Sequence, residues 1–384
     1  MSQNFHSGQY QKHKVSKSQT ELDYEYFLPS CINQSYQWQD QSIDLLLEEA
    51  SRELGELNAF FEFVPDANQF IHMYAVKEAV SSSQIEGTQT NVEEAVSPKD
   101  EISLEKRDDW QEVKNYIEAL NLSIAKLEKL PISARLIKEA HYTLLQGVRG
   151  ESKLPGEFRK SQNWIGGSNL QDASFVPPHQ DQMTSLIKDF EDFIHNDQLA
   201  LPHLIKAAIL HYQFETIHPF LDGNGRIGRL IITLYLIDKE IITRPCLYLS
   251  DFFERNRNRY YDSLSLVRTR SDLDQWLKFF LQGLIETTQN SKSIVTKILA
   301  LKLNIEERIA SLGSRAKTAE QILAIFFSQP VLDYEDIVKE LGVTHPTANK
   351  YLSDFMRLGI IDEVTLQRKN RLYRFTDYIR LFDS

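Results

Sequence analysis

His218-Pro219-Phe220-Leu221-Asp222-Gly223-Asn224-Gly225-Arg226-Ile227-Gly228-Arg229 is the most informative stretch of the 384-residue chain. It joins two apolar segments with helical patterning, Leu201–Ile217 and Ile227–Ile237. Pro219 disfavours helical backbone at His218, so the first helix is expected to stop there and present the imidazole at its end. Gly223 and Gly225 let the backbone turn sharply and expose consecutive N–H groups, an anion-binding nest at the start of the next helix. Arg226 and Arg229, three apart on the first turn, are expected to face one anion, each with a planar fork of donors. Asp222 supplies hard oxygen for Mg²⁺, which usually takes one or two carboxylates together with phosphate oxygens and water. With an ordinary pKa of about 6.5, His218 is substantially neutral at pH 7 and able to accept a proton. Taken singly, these residues read as a helix cap, a turn and a solvated face. Their conjunction reads as a nucleotide site with a general base.

Around this loop the chain is patterned mostly for helix. From Ile43 to Phe63, Leu45, Leu46, Leu54, Leu57, Phe60 and Phe61 recur mainly three and four apart, with charged residues between them. The same pattern returns at Val113–Leu130, Ala134–Leu145 and Met183–Ile194. Phe158–Pro178 departs from it. There Trp164-Ile165-Gly166-Gly167 and Phe175-Val176-Pro177-Pro178 flank the polar Ser168–Ser174, which predicts a short hairpin ended by prolines. Residues 1–23 are polar and expected to form a flexible tail. Ser291 to Ala310 is expected to be a polar helix leading out of the central block. Beyond it, Tyr334–Leu341, the turn Gly342-Val343-Thr344, a second helix with Pro346 in its first turn, and strands Ile360–Thr365 and Leu372–Phe375 make a winged-helix pattern. The basic Arg368-Lys369-Asn370-Arg371 would be its wing.

Composition narrows the function classes. Acids outnumber bases, 54 to 43, for a net charge of −11. That disfavours a nonspecific nucleic-acid coat, which needs a basic face. Segment 315–384 has ten residues of each sign and is neutral, so the acidic excess lies in the rest of the chain. Cys31 and Cys246 are too few for a disulfide framework or a four-thiolate zinc site, and a cytoplasmic location is the expectation. The longest apolar run, Leu230 to Ile237, is far shorter than the roughly twenty residues a membrane span requires, so no membrane partner is expected.

His218 to Arg229 resembles the signature of Fic-domain proteins, His-Pro-Phe-x-Asp/Glu-Gly-Asn-Gly-Arg-x-x-Arg, with no departure at a defining position. The resemblance covers about Tyr24 to Leu284. It implies a mainly α fold, a Fic-type helical bundle with a short β-hairpin flap, followed by a small winged-helix domain. The corresponding divisions are a tail at 1–23, an N-terminal helical region at 24–115, a catalytic core at 116–290, a connecting helix at 291–314 and the winged helix at 315–384. The resemblance further implies a protein adenylyltransferase that moves AMP from ATP to a Ser, Thr or Tyr hydroxyl of a target protein. On that pattern His218 deprotonates the hydroxyl, and Asp222 holds Mg²⁺ between the α- and β-phosphates. Asn224, Gly225 and Arg226 hold phosphates, flanked by Gly223, Ile227 and Gly228 in the nucleotide-binding stretch, and Arg229 binds the γ-phosphate. Phe220 anchors the loop on the core. The hairpin becomes the flap that aligns the target by strand addition, with Ile165, Gly166, Gly167 and Ser168 on it. Arg257-Asn258-Arg259-Tyr260-Tyr261 resembles the segment lining the adenine pocket, which makes Tyr260 a base contact or, equally, an ordinary packing residue. In Doc-type kinases of this fold a lysine replaces the second loop glycine; Gly225 here favours nucleotidyl over phosphoryl transfer.

Upstream, Ser82-Ser83-Gln84-Ile85-Glu86-Gly87 resembles the family's inhibitory pattern, Ser/Thr-x-x-x-Glu followed by Gly or Asn. Ser82 and Glu86 are i and i+4 on one helical face, and Gly87 closes the helix. The resemblance pairs Glu86 with Arg229 in a bidentate contact where the γ-phosphate would sit. Glu86 is therefore expected to be autoinhibitory while bordering the ATP site. The winged helix is expected to dock protein or to bind DNA. A nucleotide-sensing DNA-binding regulator and an AMP-removing enzyme are the alternative functions, and self-modification and a homodimer stay open.

Overall fold

A computed structural model describes residues 5–13, 23–64, 67–365 and 371–383. The chain begins with an antiparallel pair, β1 (Gly8–His13) and β2 (Tyr24–Pro29), in the register Gly8↔Pro29 to His13↔Tyr24. There follow α1 (Ser42–Phe63), α2 (Asn68–Ile85), α3 (Val92–Val96), α4 (Arg107–Leu127), α5 (Ala134–Leu144), α6 (Met183–His195), α7 (His203–Ile217) and α8 (Asn224–Asp238). Next come α9 (Ser250–Arg255), α10 (Arg257–Arg270) and α11 (Leu273–Ala310). The C-terminal unit comprises α12 (Ala316–Ser328), β3 (Val331–Leu332), α13 (Tyr334–Leu341), α14 (His345–Arg357), β4 (Asp362–Glu363), β5 (Tyr373–Arg374) and α15 (Thr376–Arg380). Its three short strands pair in the order β3-β5-β4, all antiparallel.

The amphipathic segments fold as their periods dictate, and their ends follow local chemistry. Asn91 caps α3 and Asp333 caps α13, each in a reciprocal capping box. Pro346 lies in the first turn of α14. The fold centres on α7 and α8, whose residues are buried almost throughout, so both ends of the loop between them are anchored in the core. α1 runs along α11, α2 packs on α4 and α9, and α5 packs on α4.

Four expectations need adjustment. The segment read as tail contains β1: its backbone pairs with β2, Tyr10 packs its edge on Phe27 at 5.2 Å, and Ser7 N–H donates to Ser271 at 3.1 Å. Backbone pairing satisfies polar groups whatever the side chains, which is why composition missed it. The hairpin at 158–178 is reduced to a single bridge between Ile165 and Phe175, because Gly166 and Gly167 both turn left-handed (φ 68° and 70°) just after it. The connecting helix begins not at 291 but at Leu273, and it is not polar throughout, since Ile294, Val295, Ile298, Ile305 and Ile309 are buried. Finally, α4 runs across the division drawn at 115/116. Of the expected wing, residues 368–370 lie outside the described residues.

The C-terminal unit is seated on α2. Phe327 meets Phe70 edge-on at 5.2 Å, Phe382 meets Tyr74 edge-on at 5.3 Å, and Lys77 Nζ donates to the Phe382 carbonyl at 2.7 Å. Arg374 pairs with Glu93 just beyond α2. Among the described residues no helix is long and apolar enough to cross a membrane.

Candidate active site

α7 ends where Pro219 forbids its continuation, and His218 takes a left-handed backbone, φ 49° and ψ 61°. For a non-glycine residue this costs on the order of 1–3 kcal/mol and persists only when its surroundings enforce it. Here they do. The His218 N–H donates to Phe214 O at 2.9 Å, while its carbonyl accepts from Arg159 Nε at 3.0 Å and Asn163 Nδ2 at 3.3 Å. Asn163 Nδ2 also donates to Phe220 O at 2.8 Å. Among the described residues His218 Nδ1 is buried without a partner. Burial foremost, then the charges of Arg159 and Arg268, pushes the imidazole pKa down to about 3, so it is neutral throughout the physiological range.

The loop is pinned from below. Phe220 is fully buried and stacks on His141, ring centroids 3.7 Å apart and planes 7° off parallel. His141 Nδ1 accepts the Gly156 N–H at 2.9 Å, which leaves Nε2–H to donate to Asp222 O at 3.0 Å. Asn224 Oδ1 accepts from Phe220 N at 2.8 Å and its Nδ2 donates to Phe220 O at 2.9 Å. Its side chain therefore closes the loop, and only its backbone N–H remains for a phosphate. Ile227 is fully buried in the core, and a Cβ on Gly228 would overlap the Glu215 carboxylate.

The two arginines part company. Arg226 Nη1 donates to Glu112 on α4 at 2.9 Å, with Nη2 3.7 Å from Asp222 Oδ1. Arg229 is held instead by α2: Nε donates to Ser82 Oγ at 2.9 Å, and Nη2 to both Ser82 O at 2.9 Å and Glu86 Oε1 at 2.7 Å. The expected bidentate Glu86 contact is thus replaced by a single one, because the Arg229 fork divides between Ser82 and Glu86, one turn apart on the same face. Burial alone would raise the Glu86 carboxyl, but the Arg229 charge prevails and holds it below its ordinary range. Glu86 also occupies the space over Gly225, where a Cβ would overlap its carboxylate.

A cavity of about 580 Å³ opens above the loop, walled by Glu86, His218, Gly225 and Arg229 on one side and by Ile165, Gly166, Phe175 and Arg268 on the other. Ile165 and Phe175 exchange two backbone hydrogen bonds, at 2.8 and 3.1 Å, and the Arg268 guanidinium lies 4.0 Å over the Phe175 ring. Gly167 and Ser168 belong to the same loop but are not among the lining residues; Ser168 Oγ donates to Asp172 at 2.8 Å. Tyr260 is 1% exposed, hydrogen-bonded to His211 Nε2 at 2.8 Å and stacked on Phe253, so it is a core residue. Its neighbour Tyr261, turned about 100° round α10, is 43% exposed and lines the cavity.

Family models match twice: Fic/DOC family N-terminal over residues 45–125 and Fic/DOC family over 131–236, the second containing the loop up to and past Arg229. Residues 45–125 and 131–236 of the chain are thus Fic/DOC family segments. Its Fic segment is 34% identical over 125 residues to the protein adenylyltransferase Fic of Aedes aegypti, covering 32% of this chain and 22% of that protein. The corresponding protein of Drosophila willistoni is 28% identical over 179 residues, covering 44% and 33%. The chain thus matches at most about a third of these relatives' length. A Fic family protein from Desulfovibrio desulfuricans G20 shares the fold with a TM-score of 0.57 at 22% identity, over 89% of this chain and 98% of that one. A segment of Fic-1 from C. elegans does so at 0.51 and 20% identity, over 67% and 74%.

Several residues of this Fic site come from separate segments and carry no local signature: His141, Arg159, Asn163, Glu112 and Arg268. Glu215 is different. It lies three residues before His218 on α7 and lines the same cavity, a spacing visible in the sequence. Burial raises its carboxyl to about 7, with Glu86 adding to the rise and Arg229 opposing it.

Proposed function

We propose that this chain transfers AMP from ATP to a hydroxyl side chain of a protein, and that Glu86 holds the resting enzyme off. The observation that carries the reading is a neutral, partner-poor His218 at the rim of a cavity that also contains the Fic-loop arginine held by Ser82 and Glu86. His218 would take the proton of the incoming hydroxyl, whose oxygen bonds to the α-phosphorus as the α–β P–O bond breaks and pyrophosphate departs. The backbone N–H groups at the start of α8 would bind phosphate oxygens, and Arg229, once freed from Glu86, the γ-phosphate.

Asp222 fits Mg²⁺. Its side chain is 44% exposed beside the nest, a single hard-oxygen ligand next to where phosphates would bind. That matches an ion taking most of its ligands from phosphates and water. Bound there, Mg²⁺ would neutralise charge on the α- and β-phosphates.

We read the C-terminal unit as a winged helix on its order of helix, strand, two helices and two strands, with a protein target or DNA as its partner. Incubating wild type and Glu86→Gly with labelled ATP and Mg²⁺ tests the main reading. Strong incorporation only in the variant, and none in Glu86→Gly/His218→Ala, is expected. Equal incorporation by wild type and Glu86→Gly would remove the brake, and persistence without His218 would remove the mechanism.

A further inference from the structure

Glu112 on α4 is 5% exposed, and both its carboxylate oxygens are engaged. Oε2 accepts from Arg226 Nη1 at 2.9 Å and Oε1 from Arg149 Nε at 2.9 Å. Arg149 Nη2 donates in turn to Asp109 Oδ1 at 2.9 Å. Asp109 and Glu112 are three apart on one face of α4, and the other Asp109 oxygen accepts the Gln89 N–H at 2.8 Å, just beyond the Ser82–Gly87 segment.

A carboxylate this buried has lost its hydration and is tolerable only when well-placed cations replace it. Two guanidinium forks do so here. The same contact removes freedom from Arg226, itself 4% exposed: Nη1 is committed to Glu112, Nη2 rests near Asp222, and Nε is buried with no partner among the described residues. An unpartnered, buried N–H on an arginine at the mouth of an anion nest is costly unless a ligand completes it.

We propose that Glu112 is a positioning residue of the Fic loop: by holding Nη1 of Arg226 it sets the fork so that the remaining donors, Nε and Nη2, meet the phosphates of the nucleotide. Glu112 touches neither nucleotide nor target and acts through Arg226. The kinetic side of this rests on the AMP-transfer reading, whereas the binding side does not.

The test uses full-length Glu86→Gly protein and the same protein carrying Glu112→Gln, which keeps the side chain's shape and removes its charge. Both are titrated calorimetrically with ATP and Mg²⁺ and assayed for AMP incorporation across ATP concentrations. Loss of a charge-assisted hold should raise the ATP Kd and KM by about tenfold or more, with a smaller change in kcat. Arg149→Met, which strips the outer partner of the same carboxylate, serves as the second variant: it should raise the Kd by about two- to fivefold and rescues the test if Glu112→Gln fails to fold. A purely structural role would instead lower the thermal midpoint in both variants and leave the Kd of the folded protein unmoved, and that result overturns the proposal. If Glu86→Gly binds ATP but transfers nothing, the AMP-transfer reading falls, while the Kd comparison still decides the role of Glu112.

Discussion

At the scale of single residues, the site works by denying its groups their usual solvent. His218 is kept neutral by burial and by the Arg159 and Arg268 charges, so its pKa of about 3 lies well below the pH at which the enzyme would act. Being depressed, it stays unprotonated until the pH falls through that value. AMP transfer by Glu86→Gly is therefore expected to show no loss attributable to His218 between pH 8 and 5. If the acid limb of the kcat/KM profile lies near 6.5 and moves in His218 variants, this account of the base is wrong. Glu215, raised to about 7 with Glu86 present and lower once that charge is removed, is the better candidate for any change within that window. Glu215→Gln should flatten such a limb. The chemistry-bearing residues of the loop were legible because they are contiguous. Tyr260 and Asn224 were harder, since a motif names a residue but not which of its atoms faces the ligand. A one-residue step round α10 exchanges a core tyrosine for a cavity tyrosine, and Asn224 spends its amide on Phe220.

At the scale of elements, the α7–α8 connection is a loop whose shape is enforced from outside. Asn163 alone ties the carbonyls of His218 and Phe220, and Arg159 ties His218 again. Asn163→Ala should leave Phe220 O with one fewer partner at a buried position, at a cost of about 1–3 kcal/mol. The expected result is a lower thermal midpoint together with at least a tenfold fall in AMP transfer in the Glu86→Gly background, because the left-handed His218 backbone loses a restraint. Unchanged transfer would show that Arg159 suffices. Helices with one wet face, such as α1 and α6, could be read directly from their apolar period. α2 could not be delimited this way. It is enclosed by core and C-terminal unit together, so its buried residues run round the helix and leave little periodic signal. β1 escaped for the opposite reason: its residues are polar, and its order comes from backbone pairing.

At the scale of the whole molecule, one continuous core runs from Ile32 to Phe382, and the C-terminal unit contributes to it through Phe327 and Phe382 on α2. A single calorimetric transition is expected for wild type, and a separate early transition for the C-terminal unit would contradict the shared core. Acid should weaken the fold. His141 and His211 are both buried with pKa values lowered to about 4 and 3, so the unfolded chain binds more protons than the native one below about 6.5. Stability present above pH 6.5 is lost progressively as the pH falls toward 3, measurable as a falling urea midpoint. The close approach of Glu86 to Gly225 has a different consequence, for how this sequence can change. The two positions are distant in the chain yet share one small volume, so a side chain at 225 would require the end of the Glu86 side chain to shift. A change at either position therefore alters the room available at the other.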